Sequence, residues 1–358
     1  MARAPIEPMR IALSALLLLW SVGALGQQAR PFYPAPGKLI DIGGYRLHLN
    51  CNGESGPAVV LIAGAGDFSF DWSLVQPGIA QFARVCSYDR AGFGWSDAGP
   101  TPRTMRQEAF ELHTLLSAAG IKGPYLLVGH SMGGLITRVY VDQYPQEVAG
   151  MVLVDSTHED TTLMLNGKLV HMRELAQSDQ VPPVQTMKSS PPRPPAKEDL
   201  DQFEFNLKTF GPPKISAPYD KLPASVQAIR LWFLSQTPRA ARGRDFLPEE
   251  LRDMFTARAK QPFELGNLPL VILLPKLGYG DPPPGIEAGE WKRVNEEKRQ
   301  QKIEFTNLSH NSRLIVAERS GHHIQLDEPR VVIDAVRLIV EAVRRHQTLD
   351  GKPDRLTP

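Results

Sequence analysis

Short apolar runs alternate along most of the chain with segments whose apolar residues recur at intervals of three and four. The run Val59-Val60-Leu61-Ile62-Ala63 is rich in β-branched residues, as expected of a strand covered on both faces. A helix is predicted next, because apolar residues recur at intervals of three and four at Met105, Ala109, Leu112, Leu116 and Ala119. This helix is expected to end at Gly120. Further apolar runs occur at 126–128, 148–154, 270–274 and 313–317. This alternation predicts an α/β domain with a mostly parallel sheet and helices on both faces.

The alternation is interrupted between about residues 157 and 265. Four Pro-Pro pairs there forbid regular helix or central strand locally. Helical stretches are nevertheless predicted near 198–210, 224–236 and 248–260, and aromatic residues such as Trp232 and Phe233 make the segment too apolar for a solvated linker. We therefore predict a helical cap inserted into a domain that spans 37–346. An amphipathic helix around Val332–Val343 closes this domain, and residues 347–358 are predicted to be a loose tail.

The first 26 residues have the pattern of an export signal. Arg3 and Arg10 precede the apolar run 11–20, and small residues lead to an acceptable cleavage site at Ala24-Leu25-Gly26. The apolar run is short for a transmembrane helix. The pattern predicts an exported protein, periplasmic or secreted. An uncleaved N-terminal anchor, which would leave the same domain tethered to a membrane, remains the alternative.

The segment Gly129-His130-Ser131-Met132-Gly133 carries the strongest chemical signal. It lies between the apolar run 125–128 and a helix-like stretch at 135–144, which is the strand, turn and helix order of a nucleophile elbow. Such a tight turn leaves no room for side chains at Gly129 and Gly133. A glycine-rich turn that merely passes a serine between strand and helix is the structural alternative. In the functional interpretation Ser131 is a nucleophile.

A serine hydroxyl needs a general base and an acid that orients the base. His322 follows the last predicted strand, where a loop can carry its imidazole over the serine, and we predict it as the base. The neighbouring His323 is its competitor; one of the two is expected to be a packing or exposed histidine.

Four segments resemble successive signatures of the α/β-hydrolase family. They are Leu61–Gly66, Tyr88–Ser96, Gly129–Gly134 and Ser320–His322. The resemblance implies an eight-stranded, mainly parallel sheet with the nucleophile after strand five and the cap after strand six. It points to the serine branch, which includes esterases, lipases, haloperoxidases and proline iminopeptidases, since epoxide hydrolases and dehalogenases carry an aspartate at the elbow.

The resemblance also assigns the remaining site residues. The backbone N–H groups of Met132 and Ala65 would form the oxyanion hole, with Gly66 as the register alternative. The chain departs from many relatives in having Ala63-Gly64 in place of His-Gly. The acid follows strand seven in most relatives, which indicates Asp281, and strand six in some lipase-like relatives, which indicates Asp155. We favour Asp155 and keep Asp281 as the alternative.

The family sheet order makes the strands that carry Cys51 and Cys86 neighbours. A disulfide between them is geometrically possible, and export would favour it. Two buried free thiols remain the alternative.

Composition limits the function further. A formal net charge of +1 gives no indication of a nucleic-acid partner. His158, Glu159 and Asp160 lack a further ligand cluster, so we predict no metal and no cofactor.

The sequence thus predicts a serine hydrolase that acts on small carboxylic esters or related acyl compounds. The alternatives are an aminopeptidase like proline iminopeptidase, which would use a cap carboxylate such as Glu198, Asp199, Asp201 or Glu204, and a non-catalytic binding protein on the same fold.

Overall fold

The computed structural model describes residues 33–165, 168–185, 200–201, 204, 207–208, 211–235, 248–260, 265–278, 280–282 and 285–350. The predicted signal or anchor segment, residues 1–26, lies outside these ranges. Within them, every helix is too short or too polar to cross a bilayer.

One sheet of eight strands organises the domain, in the order β1-β2-β4-β3-β5-β6-β9-β10. The two pairs that involve β2 are antiparallel, and the other pairs in this sheet are parallel. The mostly parallel eight-stranded sheet expected from the sequence is therefore confirmed. Its strands are β1 (Lys38–Asp41), β2 (Arg46–Asn52), β3 (Val59–Ile62), β4 (Val85–Tyr88), β5 (Tyr125–His130), β6 (Val148–Val154), β9 (Leu270–Pro275) and β10 (Ser312–Ala317). The strands β7 (Thr162–Leu165) and β8 (Lys168–His171) form a separate antiparallel pair.

Helices connect most of these strands. They are α1 (Gln76–Ala80), α2 (Met105–Ala118), α3 (Met132–Gln143), α4 (Ala224–Leu234), α5 (Pro248–Lys260), α6 (Ala288–Ile303), α7 (Ile324–Asp327) and α8 (Pro329–Arg345). Short 3-10 helices occur at Ser69–Trp72, Pro145–Glu147, Met172–Leu175, Tyr219–Lys221 and Glu304–Leu308.

Two apolar cores lie on the two faces of the sheet. Because side chains alternate along a strand, Val60 and Ile62 of β3 join the core that contains α2 and α3, whereas Val59 and Leu61 join the core that contains α1 and α8. The strand is fully buried, as the continuous apolar run predicted. The sheet thus provides a rigid base for the loops at its edge.

The segment between β6 and β9 contains the β7–β8 hairpin, α4 and α5 among its described residues. Helices were expected at 224–236 and 248–260, and α4 and α5 lie there. Much of the third predicted helix, at 198–210, falls outside the described residues. Phe233 of α4 packs with Phe68, Phe70 and Phe93 of the main domain, so α4 is joined to the domain through an aromatic cluster.

Cys51 on β2 and Cys86 on β4 lie directly opposite each other and are joined in a disulfide. The structure therefore brings together the two cysteines that the family strand order made neighbours.

The start of the predicted loose tail is fixed to the domain, so that prediction was wrong for residues 347–350. Leu349 is buried, and its backbone N–H donates a hydrogen bond to Asn311 Oδ1 at 2.7 Å. A single apolar residue in a polar tail gives no periodic pattern, which is why the sequence did not indicate this contact. Residues 351–358 lie outside the described ranges.

Candidate active site

Ser131 stands in the sharp turn between β5 and α3. Its backbone has φ of 51° and ψ of −121°, a conformation that L-residues rarely adopt. A Cβ atom on Gly129 would lie 2.5 Å from the Gly133 carbonyl oxygen, and one on Gly133 would lie 2.8 Å from the Ala63 carbonyl oxygen. Both glycines are therefore required by close backbone contacts.

The structure brings Ser131, His322 and Asp155 together in one hydrogen-bonded line. His322 Nε2 lies 3.0 Å from Ser131 Oγ, and His322 Nδ1 lies 2.5 Å from Asp155 Oδ2. Asp155 follows β6, where it also has a positive φ of 40°. Asp281 lies exposed in the loop after β9. The sequence left two aspartates as candidates for the acid, and Asp155 is the one that contacts the imidazole of His322.

The electrostatics of this line favour a neutral histidine and an ionised aspartate. Burial lowers the pKa of His322 from its ordinary value, and Asp155 only partly opposes this effect. Burial alone would raise the pKa of Asp155, but the Lys302 ammonium and His322 lower it to about 2. The arrangement therefore supports the tautomer in which Nδ1–H donates to Asp155 and Nε2 can accept the serine proton.

Lys302 is a further member of the site that the sequence did not indicate. It lies near the end of α6 and is buried, and its Nζ donates to Asp155 Oδ1. Asp155 therefore meets His322 with one carboxylate oxygen and Lys302 with the other. Such a buried contact between unlike charges compensates for the loss of water around the carboxylate.

The loop after β3 is held by a buried arginine. Arg90 donates to the Ala63 and Gly64 carbonyl oxygens at 2.6 and 2.8 Å, and the Asp67 N–H closes the turn onto the Gly64 carbonyl at 3.2 Å. These contacts fix Ala65, which lines the cavity beside Ser131 together with Met132. Met132 is the first residue of α3, where helix N–H groups have no acceptor within the helix. The loop thus has support although the histidine common in relatives is replaced by Ala63.

Asp67 links this loop to the segment between β6 and β9. Its carboxylate accepts a 2.6 Å hydrogen bond from the Tyr219 hydroxyl and lies 3.5 Å from the guanidinium of Arg230 on α4. Tyr219 also lies 2.8 Å from His323 Nε2. His323 is therefore a packing histidine in this contact, with its pKa lowered to about 3 by burial and by the neighbouring His130.

A cavity of about 740 Å³ opens in front of Ser131. Its described wall is mostly apolar and includes Met132, Leu135, Leu163, Met172 and Pro218. Lys298 and Lys302 of α6 also line it, beside His322 and His323. A space of this size and character suits a small organic molecule with an apolar part.

The acidic cluster after β6 has other partners. Glu159 pairs with Arg138 at 2.7 Å and with Arg258 at 2.9 Å, and Asp160 pairs with Arg173. His158 is buried against the Phe305 ring, and burial lowers its pKa to about 3. Among the described residues, no group of three or more potential ligands is arranged for a metal ion.

Comparison with known proteins agrees with this architecture. Residues 57–190 match the sequence model of a family described as the alpha/beta hydrolase fold, and this stretch contains the elbow. The chain has the α/β-hydrolase fold. It is 27% identical over 307 residues to an AB hydrolase superfamily protein of Gibberella zeae, which covers 80% of this chain and 87% of the relative.

Solved structures with the same fold include enzymes of different chemistry. A thermophilic esterase from Thermogutta terrifontis superposes on this hydrolase-fold chain with a TM-score of 0.53 and 19% identity, over 84% of this chain and 94% of the esterase. A candidate acyltransferase from Salmonella enterica gives a TM-score of 0.58 and 20% identity, over 88% of this chain and 99% of its own. At such identities the likeness establishes the fold, and the chemistry has to be argued from the site.

Proposed function

We propose that the protein is a serine hydrolase that cleaves carboxylic esters or related acyl compounds through an acyl-enzyme on Ser131. The observation that carries the proposal is the hydrogen-bonded line from Ser131 Oγ through His322 to Asp155, at the edge of an apolar cavity. The family match supports a hydrolase. A serine at the elbow favours acyl transfer over the chemistry of hydrolases with an aspartate nucleophile.

Acylation follows from this geometry. Ser131 Oγ attacks the ester carbonyl while its proton passes to His322 Nε2, and Asp155 stabilises the imidazolium that forms. The negative charge that develops on the carbonyl oxygen is held by the N–H groups of Met132 and Ala65, each contributing on the order of 3 kcal/mol. His322 then gives its proton to the departing alkoxide, and the alcohol leaves the acyl-enzyme.

Deacylation repeats these steps with water. His322 Nε2 removes a proton from a water molecule, whose oxygen attacks the acyl carbon and forms a second tetrahedral intermediate. The proton returns to Ser131 Oγ as the acid product is released. Because burial lowers the pKa of His322 from its ordinary value, the neutral imidazole that accepts the proton in both steps is favoured at neutral pH.

An aminopeptidase would need a carboxylate in the pocket to bind the substrate amine. The candidates Asp201 and Glu204 are exposed, and Glu198 and Asp199 lie outside the described residues. The described cavity wall includes no aspartate or glutamate, and its lysines, Lys298 and Lys302, offer no carboxylate to an ammonium group. This wall favours the ester hydrolase over the aminopeptidase.

The test is hydrolysis of p-nitrophenyl esters of increasing acyl length. We expect turnover by the wild-type protein and a fall in kcat of about four to six orders of magnitude in Ser131→Ala, because triad members act as a unit. Ser235→Ala is the matched control, since this exposed serine lies on the surface at the end of α4. Equal turnover by Ser131→Ala and wild type would contradict the proposal, and no turnover by the wild type would favour a binding protein.

A further inference from the structure

A second hydroxyl group lies beside the nucleophile. Thr157 Oγ1 is 3.3 Å from Ser131 Oγ, and both residues line the catalytic cavity, where each is half-buried. Thr157 follows Asp155 by two residues, so the loop after β6 contributes both the acid of the triad and this hydroxyl. A serine triad requires no second hydroxyl at the attacking oxygen, so the position of Thr157 calls for an explanation.

Backbone hydrogen bonds hold the loop of Thr157 against the elbow. The Ser131 N–H donates to the Val154 carbonyl oxygen at 3.1 Å, and the Thr157 N–H donates to the Ser131 carbonyl oxygen at 3.0 Å. Between these two bonds the chain turns at Asp155, whose φ is positive. The loop is therefore bonded to Ser131 on both sides of its turn, and the backbone of Thr157 is held next to the nucleophile.

A buried ion pair supports the same residue from helix α3. Arg138 donates to the Thr157 carbonyl oxygen at 3.2 Å and to Glu159 Oε2 at 2.7 Å. Both charged residues are buried, and the guanidinium lies over the Phe305 ring, 4.6 Å from its centre. Removing either partner of such a pair would leave an uncompensated buried charge. The pair thus fixes the Thr157 carbonyl relative to the helix that begins directly after Ser131.

The direction of the hydrogen bond between the two hydroxyls follows from the protons of the triad. In the tautomer that the site favours, His322 Nδ1–H donates to Asp155, so Nε2 accepts the hydroxyl proton of Ser131. Ser131 has only this one hydroxyl proton. Thr157 is therefore the donor in the 3.3 Å contact, and its hydroxyl proton points to a lone pair of Ser131 Oγ.

We propose that Thr157 is a further catalytic residue, whose hydroxyl stabilises the negative charge that develops on Ser131 Oγ. The proposal rests on the hydrolase function above and adds a residue to that same site. A hydrogen bond to a charged oxygen is stronger than one to a neutral oxygen. The contact therefore stabilises the transition states more than the resting enzyme, which is the condition for raising the rate.

The charge on Ser131 Oγ grows in both half-reactions. In acylation it grows as the serine proton passes to His322 Nε2 and the bond from Oγ to the acyl carbon forms. In deacylation it grows again as that bond breaks and the proton returns from His322 to Oγ. The hydroxyl proton of Thr157 stays on Thr157 throughout, so the residue donates a hydrogen bond and transfers nothing.

This role is distinct from that of the oxyanion hole. In the sheet, β5 lies between β3, which leads into the loop of Ala65, and β6, which leads into the loop of Thr157. Thr157 and the oxyanion loop therefore approach the nucleophile from opposite sides. Met132 and Ala65 would serve the carbonyl oxygen of the substrate, whereas Thr157 serves the serine oxygen itself.

The test removes the hydroxyl of Thr157 and measures the reactivity of Ser131. Thr157→Val keeps the shape of the side chain without the donor, and Thr157→Ser keeps the donor. Thr114→Val is the matched control, because Thr114 on α2 also donates one hydrogen bond, to the Phe110 carbonyl oxygen at 2.9 Å, and does not line the cavity. For each variant, kcat and KM for p-nitrophenyl butyrate are measured across pH, and the rate of labelling by a fluorophosphonate is measured separately.

We expect Thr157→Val to lower kcat and the labelling rate roughly tenfold each, as the loss of one hydrogen bond to the reacting oxygen predicts, with little change in KM. Thr157→Ser should keep most of both rates. The acidic limb of the kcat/KM profile should stay at its wild-type pH in Thr157→Val, because the hydroxyl carries no charge that acts on His322. Thr114→Val should keep the wild-type values.

The outcomes separate the two proposals. Wild-type kcat and labelling rate in Thr157→Val would overturn the role of Thr157 and leave the ester hydrolase intact. Equal losses in Thr157→Val and Thr157→Ser would overturn it as well, since packing and not the hydroxyl would then matter. A shifted acidic limb in Thr157→Val would assign the loss to a displaced Asp155, and an equal loss in Thr114→Val would assign it to stability.

A second variant covers a failure to fold. Should Thr157→Val not fold, as judged by its melting temperature, Thr157→Ala takes its place, and Thr157→Ser must again have the higher kcat and labelling rate. A wild-type protein that neither hydrolyses p-nitrophenyl butyrate nor reacts with the fluorophosphonate would instead contradict the proposed function itself.

Discussion

At the scale of single residues, Asp155 is the centre of the site, since it holds His322 with one oxygen and Lys302 with the other. Its position after β6 departs from the commoner family arrangement, in which the acid follows the next strand of the main sheet. The sequence did not decide whether Asp155 or Asp281 is the acid, because both follow strands that end at the same edge of the sheet. Only the fold shows which of them reaches the imidazole.

Replacing Asp155 should therefore have a much larger effect than replacing Asp281. Asp155→Asn removes the charge that stabilises the imidazolium and favours the wrong tautomer, so kcat should fall by about four orders of magnitude. Asp281→Asn, at an exposed loop position, should retain most activity. Steady-state kinetics of the two variants, with melting temperatures as the folding control, check this. The reverse order of activities would move the acid to Asp281.

Lys302 should act on the triad through charge as well as through position. Burial is the main cause that lowers the pKa of His322, and the Lys302 ammonium adds to it, so Lys302→Met should raise this pKa and move the acidic limb of the kcat/KM profile to higher pH. In the wild type that limb should lie below the ordinary histidine value of about 6.5, since burial disfavours imidazolium. The loss of one charge-assisted hydrogen bond should also lower kcat roughly tenfold to a hundredfold.

The pH profile separates these effects. Lys302→Arg keeps the positive charge and should keep the limb near its wild-type position. If Lys302→Met lowers activity equally at every pH and does not shift the acidic limb of the kcat/KM profile, Lys302 only supports the fold around Asp155.

At the scale of secondary-structure elements, the turn from β5 to α3 depends on the absence of side chains. A methyl group on Gly133 would collide with the carbonyl oxygens of Ile62 and Ala63, which belong to the strand β3 and the loop that carries Ala65. Backbone atoms cannot move aside as a flexible side chain can. The elbow and the candidate oxyanion loop are therefore packed against each other.

Gly133→Ala should accordingly lower both stability and activity. We expect a loss of about 1 to 3 kcal/mol or more in the free energy of unfolding, measured by urea denaturation, together with a fall in kcat as Ala65 is displaced. Gly289→Ala is the control, because a Cβ atom at that position of α6 meets no other atom within 4 Å. Equal stability of Gly133→Ala and wild type would contradict the close packing of the elbow.

These elements also show which parts of the site could be predicted from the sequence alone. The elbow could be predicted because its glycines, its serine and the apolar strand before it lie within a few residues of one another. Helix α6 could not, since its sequence has no regular apolar stripe and its main buried contacts are made by Val294, Gln301 and Lys302. The contact of Lys302 with Asp155 joins residues 147 positions apart. Likewise, Asp67 contacts Tyr219 and Arg230 only because the segment after β6 folds back over the loop that follows β3. The sequence does not show these contacts.

At the scale of the whole molecule, the disulfide between Cys51 and Cys86 links β2 to β4 on the antiparallel side of the sheet. Disulfides persist in oxidising compartments. This agrees with the proposal, made from residues 1–26, that the protein is exported. An uncleaved anchor and a cleaved signal would both place the domain in such a compartment.

Expression with export should therefore give a protein that begins at Gln27 and contains the linked cysteines. Intact-mass measurement and a non-reduced digest check both features. Cys51→Ala combined with Cys86→Ala should lower the free energy of unfolding by about 2 to 4 kcal/mol, and a reducing agent should have the same effect on the wild type. Retention of residues 1–26 would favour the anchor, and two alkylatable thiols in the native exported protein would refute the disulfide.

The most direct test of the central claim is covalent labelling of Ser131 by a fluorophosphonate, followed by mass spectrometry of the intact protein and its peptides. The label reacts with a serine whose proton can pass to a neighbouring base. We predict one adduct, located on the peptide that contains Ser131, with labelling absent in Ser131→Ala, much slower in His322→Ala and nearly unchanged in His323→Ala. Labelling that persists in Ser131→Ala, or a wild-type protein that remains unlabelled, would contradict the account.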